Sequence, residues 1–527
     1  MRDFQKPGRS TVHALNGMAA TSHPLATLAA VDMLRAGGTA ADAAVAAAAV
    51  LAVVEPESTG IGGDGFALYA EAGGEPVGYN GSGRAPRAAD ASWYLERGMS
   101  AIPLTGPHSV TVPGVVDLWD TLLRRHGKKG LDAALQPAIL AAEGGHIVSP
   151  RIAWDWAANL EKLRKGANAE RYLLPGGRAP ALGDVVRQPE LGATLRAVAR
   201  DGRDAFYLGP VAEDMVGTLR RLGGLHDLQD FAGHRTEAVT PIRTNYRGFD
   251  FWECPPNGPG VAALLMLNIL EGFDLASLDP LGAKRFHLEA EATRHAYRLR
   301  ETHVADPRFA AVDVERLLGP EMTASLRAEI DPDRAGDIPW IAPPMAPSTI
   351  YLSVVDRDRN VCSFINSLAY AFGSAVMSDK TGVLFQNRGS GFHVEPGHPN
   401  SIEGGKRPLH TLIPGMVTRN GRATLSFGVM GGQYQPVGQT HVATNIIDFG
   451  MDVQEAIDCP RGFHYEQVYS LEQGVPEATA RELAEMGHKV GRSAMPHGGG
   501  QAIAIDWERG TLVGGSDPRK DGSALGY

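Results

Sequence analysis

Near residue 349 the hydrophobic period of this chain changes, and that change limits what it can build. From about 110 to 335 apolar residues recur at three-and-four spacing, as in "VPGVVDLWDTLLRRHG", "LDAALQPAILAAEGG" and "AKRFHLEAEATRHAYRLRETH", the pattern of helices with one buried face. After it the period is two: "TIYLSVVD" and "VCSFIN", joined by "RDRN", read as a hairpin, and "GKRPLHTLIPGMVT", "RATLSFGVMGG" and "GGGQAIAIDWERGTLVGGSDP" continue a sheet. Helices and strands with buried faces must stack in layers, so the expected class is α+β. Between the two patterns lies "DPDRAGDIPWIAPPMAPS", residues 331–348, with five prolines and no helical period. It is expected to be an exposed connection, and exposed connections are where chains are cut.

The first 55 residues read as two helices, "HPLATLAAVDMLRAGG" and an alanine-rich run, with Gly37 and Gly38 ending the first and Thr39 capping the second. The run "AADAAVAAAAVLAVVEP", residues 40–56, is shorter than the roughly 20 residues of a membrane span and contains Asp42, so a buried core helix is expected. Gly60, Gly62 and Gly65 spell G-x-G-x-x-G, but "FALYAEAG" after them is strand-like. A dinucleotide loop opens a helix instead, so a close backbone turn is the expectation. A net charge of −10 provides no attraction for nucleic acid or an anionic membrane. Three dispersed cysteines, Cys254, Cys362 and Cys459, indicate neither disulfides nor a zinc knuckle. The first residues carry no apolar run of signal-peptide length, so a cytoplasmic location is expected.

Common hydrolase signatures are missing: there is no G-x-S-x-G, H-E-x-x-H or phosphate loop. His393 and His398 sit in a Gly/Pro-rich stretch that reads as a surface loop, and no metal or cofactor is expected. What remains is Ser348–Thr349 between the proline-rich connection and the first strand of the hairpin. A threonine hydroxyl is a poor nucleophile unless a base sits beside it, and one solution makes the residue's own freed α-amine that base. A threonine at a strand start is otherwise ordinary.

"STIYLSVVDRDRNVCSFINSLAYAFGS", "TGVLFQNRGSGF", "GKRPLHTLIPGMV", "FGVMGGQYQPVG" and "GGSDPRKDGSALGY", with the earlier "VEPESTGIGGDGFALY" and "NGSGRAPRAA", resemble the γ-glutamyltransferase family of N-terminal nucleophile (Ntn) hydrolases along nearly the whole chain. The resemblance implies an αββα sandwich with a largely helical large-subunit portion. It implies self-cleavage between Ser348 and Thr349 into residues 1–348 and 349–527, which stay together as one composite domain, a heterodimer that can dimerise further. Thr349 is then the nucleophile, Ser367 stands where the family has a second threonine bonded to it, and Gly431 and Gly432 match the paired glycines that hold the oxyanion.

The same resemblance marks departures. Ser82 stands where the family has an arginine, with Arg84 displaced by two. Ala369 replaces an asparagine, Gly391 an acidic residue, Arg388 a glutamine, and His410 and Thr411 a serine pair. A lost carboxylate partner for an α-ammonium costs several kcal/mol of binding, on the order of breaking a buried ion pair. Arg388 and His410 suit instead an anionic acyl group, since arginine matches a carboxylate in a bidentate manner. The variant pattern resembles a branch that includes oxamate amidohydrolases and related acylases. The expected function is therefore hydrolysis of a small carboxylate-bearing amide. The alternatives are a γ-glutamyl transferase or glutathione hydrolase with altered contacts, and an unprocessed binding homologue.

Overall fold

The computed structural model describes residues 8–337, 348–465 and 467–527. Most of the proline-rich connection expected to be exposed, residues 338–347, lies outside the described residues.

Two seven-stranded sheets form the centre. The first runs in the order Ser523–Gly526, Met18–Thr21, Ile350–Val355, Val361–Ser367, Asp64–Ala70, Val77–Asn80, Glu237–Val239. The second runs Val12–Ala14, Thr511–Ser516, Gly499–Asp506, Arg422–Met430, Gly415–Arg419, Phe249–Glu253, Ile242–Tyr246. Helices Pro24–Arg35 and Ala40–Val54 cover the first sheet, and Gly260–Leu270, Gln435–Ile447 and Val453–Asp458 cover the second. The result is a four-layer sandwich, α, β, β, α.

The strand Ile350–Val355 is buried at every position. Ile350, Leu352 and Val354 join the core under the helices, whereas Tyr351 and Val355 join the core between the sheets. Both faces are buried, so alternation separates two cores instead of core from water. Between the sheets, Gly428 of the facing strand makes room for Tyr351: a Cβ there would come within 2.5 Å of the ring. The Tyr351 hydroxyl lies 2.8 Å from Ser353 Oγ and 2.7 Å from Ser363 Oγ, which meets its need for partners in a dry layer.

Ala40–Val54 is buried along its whole length, because the first sheet lies on one side and helices Pro24–Arg35 and Gly130–Gly144 on others. Thr39 and Asp42 close a capping box at its start, and the backbone N–H groups of Lys128 and Lys129 also donate to the Asp42 carboxylate, at 2.8 and 2.9 Å. Among the described residues no helix is long and apolar enough to cross a membrane. Cys254, Cys362 and Cys459 are buried and unbonded to one another.

Two local expectations need correction. The stretch read as mainly helical also holds strands Glu237–Val239 and Ile242–Tyr246 at the sheet edges and Phe249–Glu253 next to the second edge; at three to five residues each they are too short to impose a period on the surrounding pattern. Conversely, residues 405–414, read as sheet, form no strand. Pro408 and Pro414 lack the N–H a ladder requires.

Candidate active site

The centre of the site follows from strand register. Ile350 pairs with Asn366, so Thr349, one residue earlier, stands opposite Ser367, and Ser367 in turn pairs with Asp64. Three neighbouring strand ends thus line up Thr349, Ser367 and Asp64. All three are buried.

Thr349 Oγ1 lies 2.7 Å from the Ser348 carbonyl oxygen and 3.1 Å from Ser367 Oγ. Ser367 Oγ is 2.9 Å from the same carbonyl and accepts from the Ala369 N–H at 2.8 Å and from Arg388 Nη2 at 3.2 Å. Those two N–H groups fill the lone pairs of Ser367, so its proton points to the Ser348 carbonyl. Two hydroxyls converge on one peptide oxygen. The Ser348 side chain is held away from it by donating to the Glu57 carbonyl. Ala369 itself adopts φ +79°, a left-handed conformation that an alanine rarely takes, as the chain turns to aim its N–H at Ser367.

Behind Ser367, Arg388 donates from Nη1 to Thr411 Oγ1 at 2.8 Å, and its Nε lies 4.0 Å from Asp64 Oδ1. His410 Nε2 lies 3.1 Å from the same oxygen, while its Nδ1 accepts from the Leu412 N–H at 3.1 Å. Burial pushes His410 down to about 4, and the Arg388 charge adds to this, so the ring is neutral near pH 7. Burial works to raise the Asp64 carboxyl, but His410, Arg388 and the Gly83 N–H together hold it below the usual carboxylate range. Turned so that its amide nitrogen faces Asp64, the Gln386 side chain donates to both carboxylate oxygens, at 2.8 and 3.2 Å, while its oxygen accepts from Thr111. Burial draws Arg388 below its ordinary range against the pull of Asp64, yet a guanidinium stays cationic at neutral pH.

Arg388, His410 and Thr411 open onto a cavity of about 400 Å³ that Tyr370, His393, Glu301 and Glu395 also line. Gly391 forms part of its wall. His393 and His398, read as loop residues, stack at 3.7 Å beside it. Gly431 and Gly432 end the strand Arg422–Met430 with φ of +137° and +59°, and the next residue, Gln433, reaches the cavity. A side chain on Gly431 would meet Gly498 Cα at 2.9 Å, so close backbone approach adds to the conformational demand at that position.

Ser82 and Arg84 stand apart from this group. Ser82 Oγ accepts from Asn257 at 3.1 Å in the interior. Arg84 is engaged by Asp306 at 3.1 Å, Glu237 at 3.0 Å and the Gly405 carbonyl at 2.9 Å. Neither lines the cavity. The residues that sequence reasoning missed are Asp64 and Gln386. A lone acid inside the glycine-rich "GIGGDGF" was the available signal, since an acid in an apolar, tightly packed run is buried only with partners. The glycines around it do serve close packing: a Cβ on Gly62 or Gly63 would come within 2.1 Å of the Leu384 carbonyl or 2.3 Å of the Ser367 carbonyl.

Comparison with known proteins bears on the whole of this arrangement. The γ-glutamyltranspeptidase family model matches residues 26–527. A glutathione hydrolase-like YwrD proenzyme of Bacillus subtilis is 39% identical over 522 residues, covering 97% of this chain and 98% of that protein. An oxamate amidohydrolase proenzyme of Klebsiella pneumoniae is 36% identical over 529 residues, covering 97% and 98%. The crystal structure of a cephalosporin acylase from Bacillus halodurans superposes with a TM-score of 0.94 at 38% identity, covering 100% of this chain and 99% of that one. With the four-layer sandwich and a threonine at the head of a central strand, these matches establish that the chain is an enzyme of the γ-glutamyltranspeptidase family of Ntn hydrolases.

Proposed function

We propose that this chain is a self-processing amidohydrolase that cuts its own Ser348–Thr349 bond and then hydrolyses a small carboxylate-bearing amide of the oxamate type. The observation that carries the reading is the convergence of Thr349 Oγ1 and Ser367 Oγ on the Ser348 carbonyl oxygen, at 2.7 and 2.9 Å. In processing, Thr349 Oγ1 adds to the Ser348 carbonyl carbon, Ser367 donates to the oxygen as it gains charge, and the C–N bond breaks as the Thr349 hydroxyl proton passes to the leaving nitrogen. An ester on Thr349 and a new α-amine result, and water releases the ester. In turnover, that amine takes the Thr349 proton during attack on the substrate amide and returns it to the leaving amine. Gly431 and Gly432 supply backbone N–H groups to the oxyanion.

The acyl carboxylate is assigned to Arg388. Among the described residues its terminal nitrogens each make one hydrogen bond, leaving a second N–H on each. The guanidinium charge is shared with Asp64, which keeps the affinity for such a carboxylate modest. A second reading, hydrolysis or transfer of γ-glutamyl groups, draws support from Glu301 and Glu395 in the cavity wall, carboxylates able to meet an α-ammonium.

Denaturing gels and kinetics test both levels. Wild type is expected to give two chains, Thr349→Ala one full-length chain without activity; a single band for both overturns self-processing. Processed enzyme is expected to turn over oxamate faster than a γ-glutamyl anilide, and Arg388→Met to raise KM for oxamate. Robust anilide turnover with none of oxamate selects the second reading.

A further inference from the structure

Helix Ala283–His303 places His287 and Glu291 one turn apart, on the same face. His488, between helix Glu477–Glu485 and strand Val490–Arg492, closes on them, and one ligand-type atom from each of the three lies within 4.8 Å of the others. All are buried, and none lines the cavity beside Thr349.

The imidazoles are set as metal-ligating ones are. His287 Nε2 lies 2.7 Å from the Asp331 carbonyl, so that nitrogen carries the proton and Nδ1 presents its lone pair. His488 Nε2 faces that lone pair at 2.8 Å. Glu291 Oε2 accepts from the Gly336 N–H at 3.1 Å, while Oε1 is buried without a hydrogen-bond partner among the described residues, as is His488 Nδ1. The Arg294 guanidinium, 3.5 Å from Oε1, balances the charge of this buried carboxylate without completing a hydrogen bond, so Oε1 keeps a lone pair beside the two imidazoles.

We propose that His287 Nδ1, His488 Nε2 and Glu291 Oε1 form a binding site for a borderline divalent cation of the Zn²⁺ type, distinct from the catalytic cavity. Two imidazoles and a carboxylate are a donor set zinc favours, with water completing the tetrahedron. The ion takes the place of the proton between the two rings. His488 then carries its proton on Nδ1, and the nitrogens separate from 2.8 Å to about 3.4 Å, the spacing of two tetrahedral zinc ligands. Arg294 opposes the ion: its Nη1 lies 3.5 Å from Glu291 Oε1, and it also donates to the Gly336 carbonyl. The ligands come from either side of Ser348–Thr349, and the segment that binds His287 and Glu291, Asp331 to Gly336, is the one leading toward that bond. The ion would therefore pin this segment to the part of the chain carrying His488, whether or not the chain is cut.

The test uses full-length purified protein, stripped with a chelator and reloaded. Wild type is expected to hold one Zn²⁺ per chain through desalting, to show tetrahedral visible bands with Co²⁺, and to melt at a higher temperature with zinc than without. Glu291→Gln and His488→Gln are expected to lose the ion, with Thr349-dependent activity as the check that they fold. Arg294→Gln should bind zinc on the order of tenfold more tightly, because a neighbouring positive charge is gone. Wild type without tetrahedral Co²⁺ bands, or holding zinc no better than the Glu291→Gln/His488→Gln double variant, overturns the site; the Co²⁺ spectrum of wild type decides alone if the variants do not fold.

Discussion

Ser367 spends both oxygen lone pairs on the N–H groups of Ala369 and Arg388, which commits its proton to whatever oxygen lies in front of Thr349. In the uncut chain that is the Ser348 carbonyl; after the proposed cleavage it would be Thr349 Oγ1 or the oxyanion. Ser367→Ala is thus expected to slow both self-cleavage and turnover, each by about 10²- to 10³-fold, the usual cost of one preorganised donor. Ser367→Thr should recover most of it. A gel time course reads the first step and steady-state kinetics the second; loss of only one would break the link between them. The hydroxyl pair at Ser348–Thr349 was visible at this scale as a local pattern after a proline-rich stretch, but it was the family resemblance that singled out Thr349. Asp64 was not, because its place beside Ser367 depends on the pairing of Ser367 with Asp64, across 303 positions of sequence.

Strands hold Thr349 by packing as well as by pairing. Tyr351, two residues after Thr349, occupies the space over Gly428, where a Cβ would lie 2.5 Å from its ring. Gly428→Leu is expected to force the sheets apart locally and cost about 1–3 kcal/mol. It should also slow self-cleavage, since Thr349 is carried by the displaced strand; an unchanged melting temperature and processing rate would contradict this packing. The hairpin Ile350–Val355 with Val361–Ser367 was legible from period and turn, as were Ala40–Val54 and its Thr39 cap. The short strands between 237 and 253 were not, because their order comes from neighbours in the sheets and not from their own short patterns. Residues 405–414 misled in the opposite sense: apolar alternation was present, but the prolines and the pull of Asp64 and Arg388 on His410 and Thr411 turned it into a wall of the cavity.

Across the whole molecule, both sheets interleave strands from before and after residue 349. Met18–Thr21 lies between Ser523–Gly526 and Ile350–Val355, and Phe249–Glu253 pairs with Gly415–Arg419. The proposed cleavage at Ser348 would therefore leave every ladder among the described strands intact. The cut protein is expected to elute as one particle under native conditions and to separate only in denaturant; separation in plain buffer would contradict this topology. Acid should act on the entire fold. Burial pushes His23, His146, His226, His234, His295 and His410 down to about 4 and His488 to about 3. In the unfolded chain they titrate near pH 6.5, so between about 6.5 and 4 the unfolded state binds more protons and stability is lost as pH falls. Burial also raises Glu55, to about 7, together with Glu57 and Glu253, and these work in the opposite direction. The seven histidines outnumber them, so the melting temperature is expected to fall steadily from about pH 6.5 to pH 5, measured by thermal unfolding. A flat profile would contradict the burial of neutral imidazoles.

The sequence alone determined the layered α+β class, the hairpin with Thr349 at its head, and the family, because these rest on local period, turn chemistry and ordered motifs. Only the tertiary structure decided which distant residues meet. Strand register set Asp64 beside Ser367, a glycine in the second sheet made room for Tyr351, and Arg84 was drawn to Asp306 and Glu237 instead of the cavity. Side-chain period is written along a chain, but the offset between strands hundreds of residues apart is settled by the packing of the whole, and the site lies at those offsets.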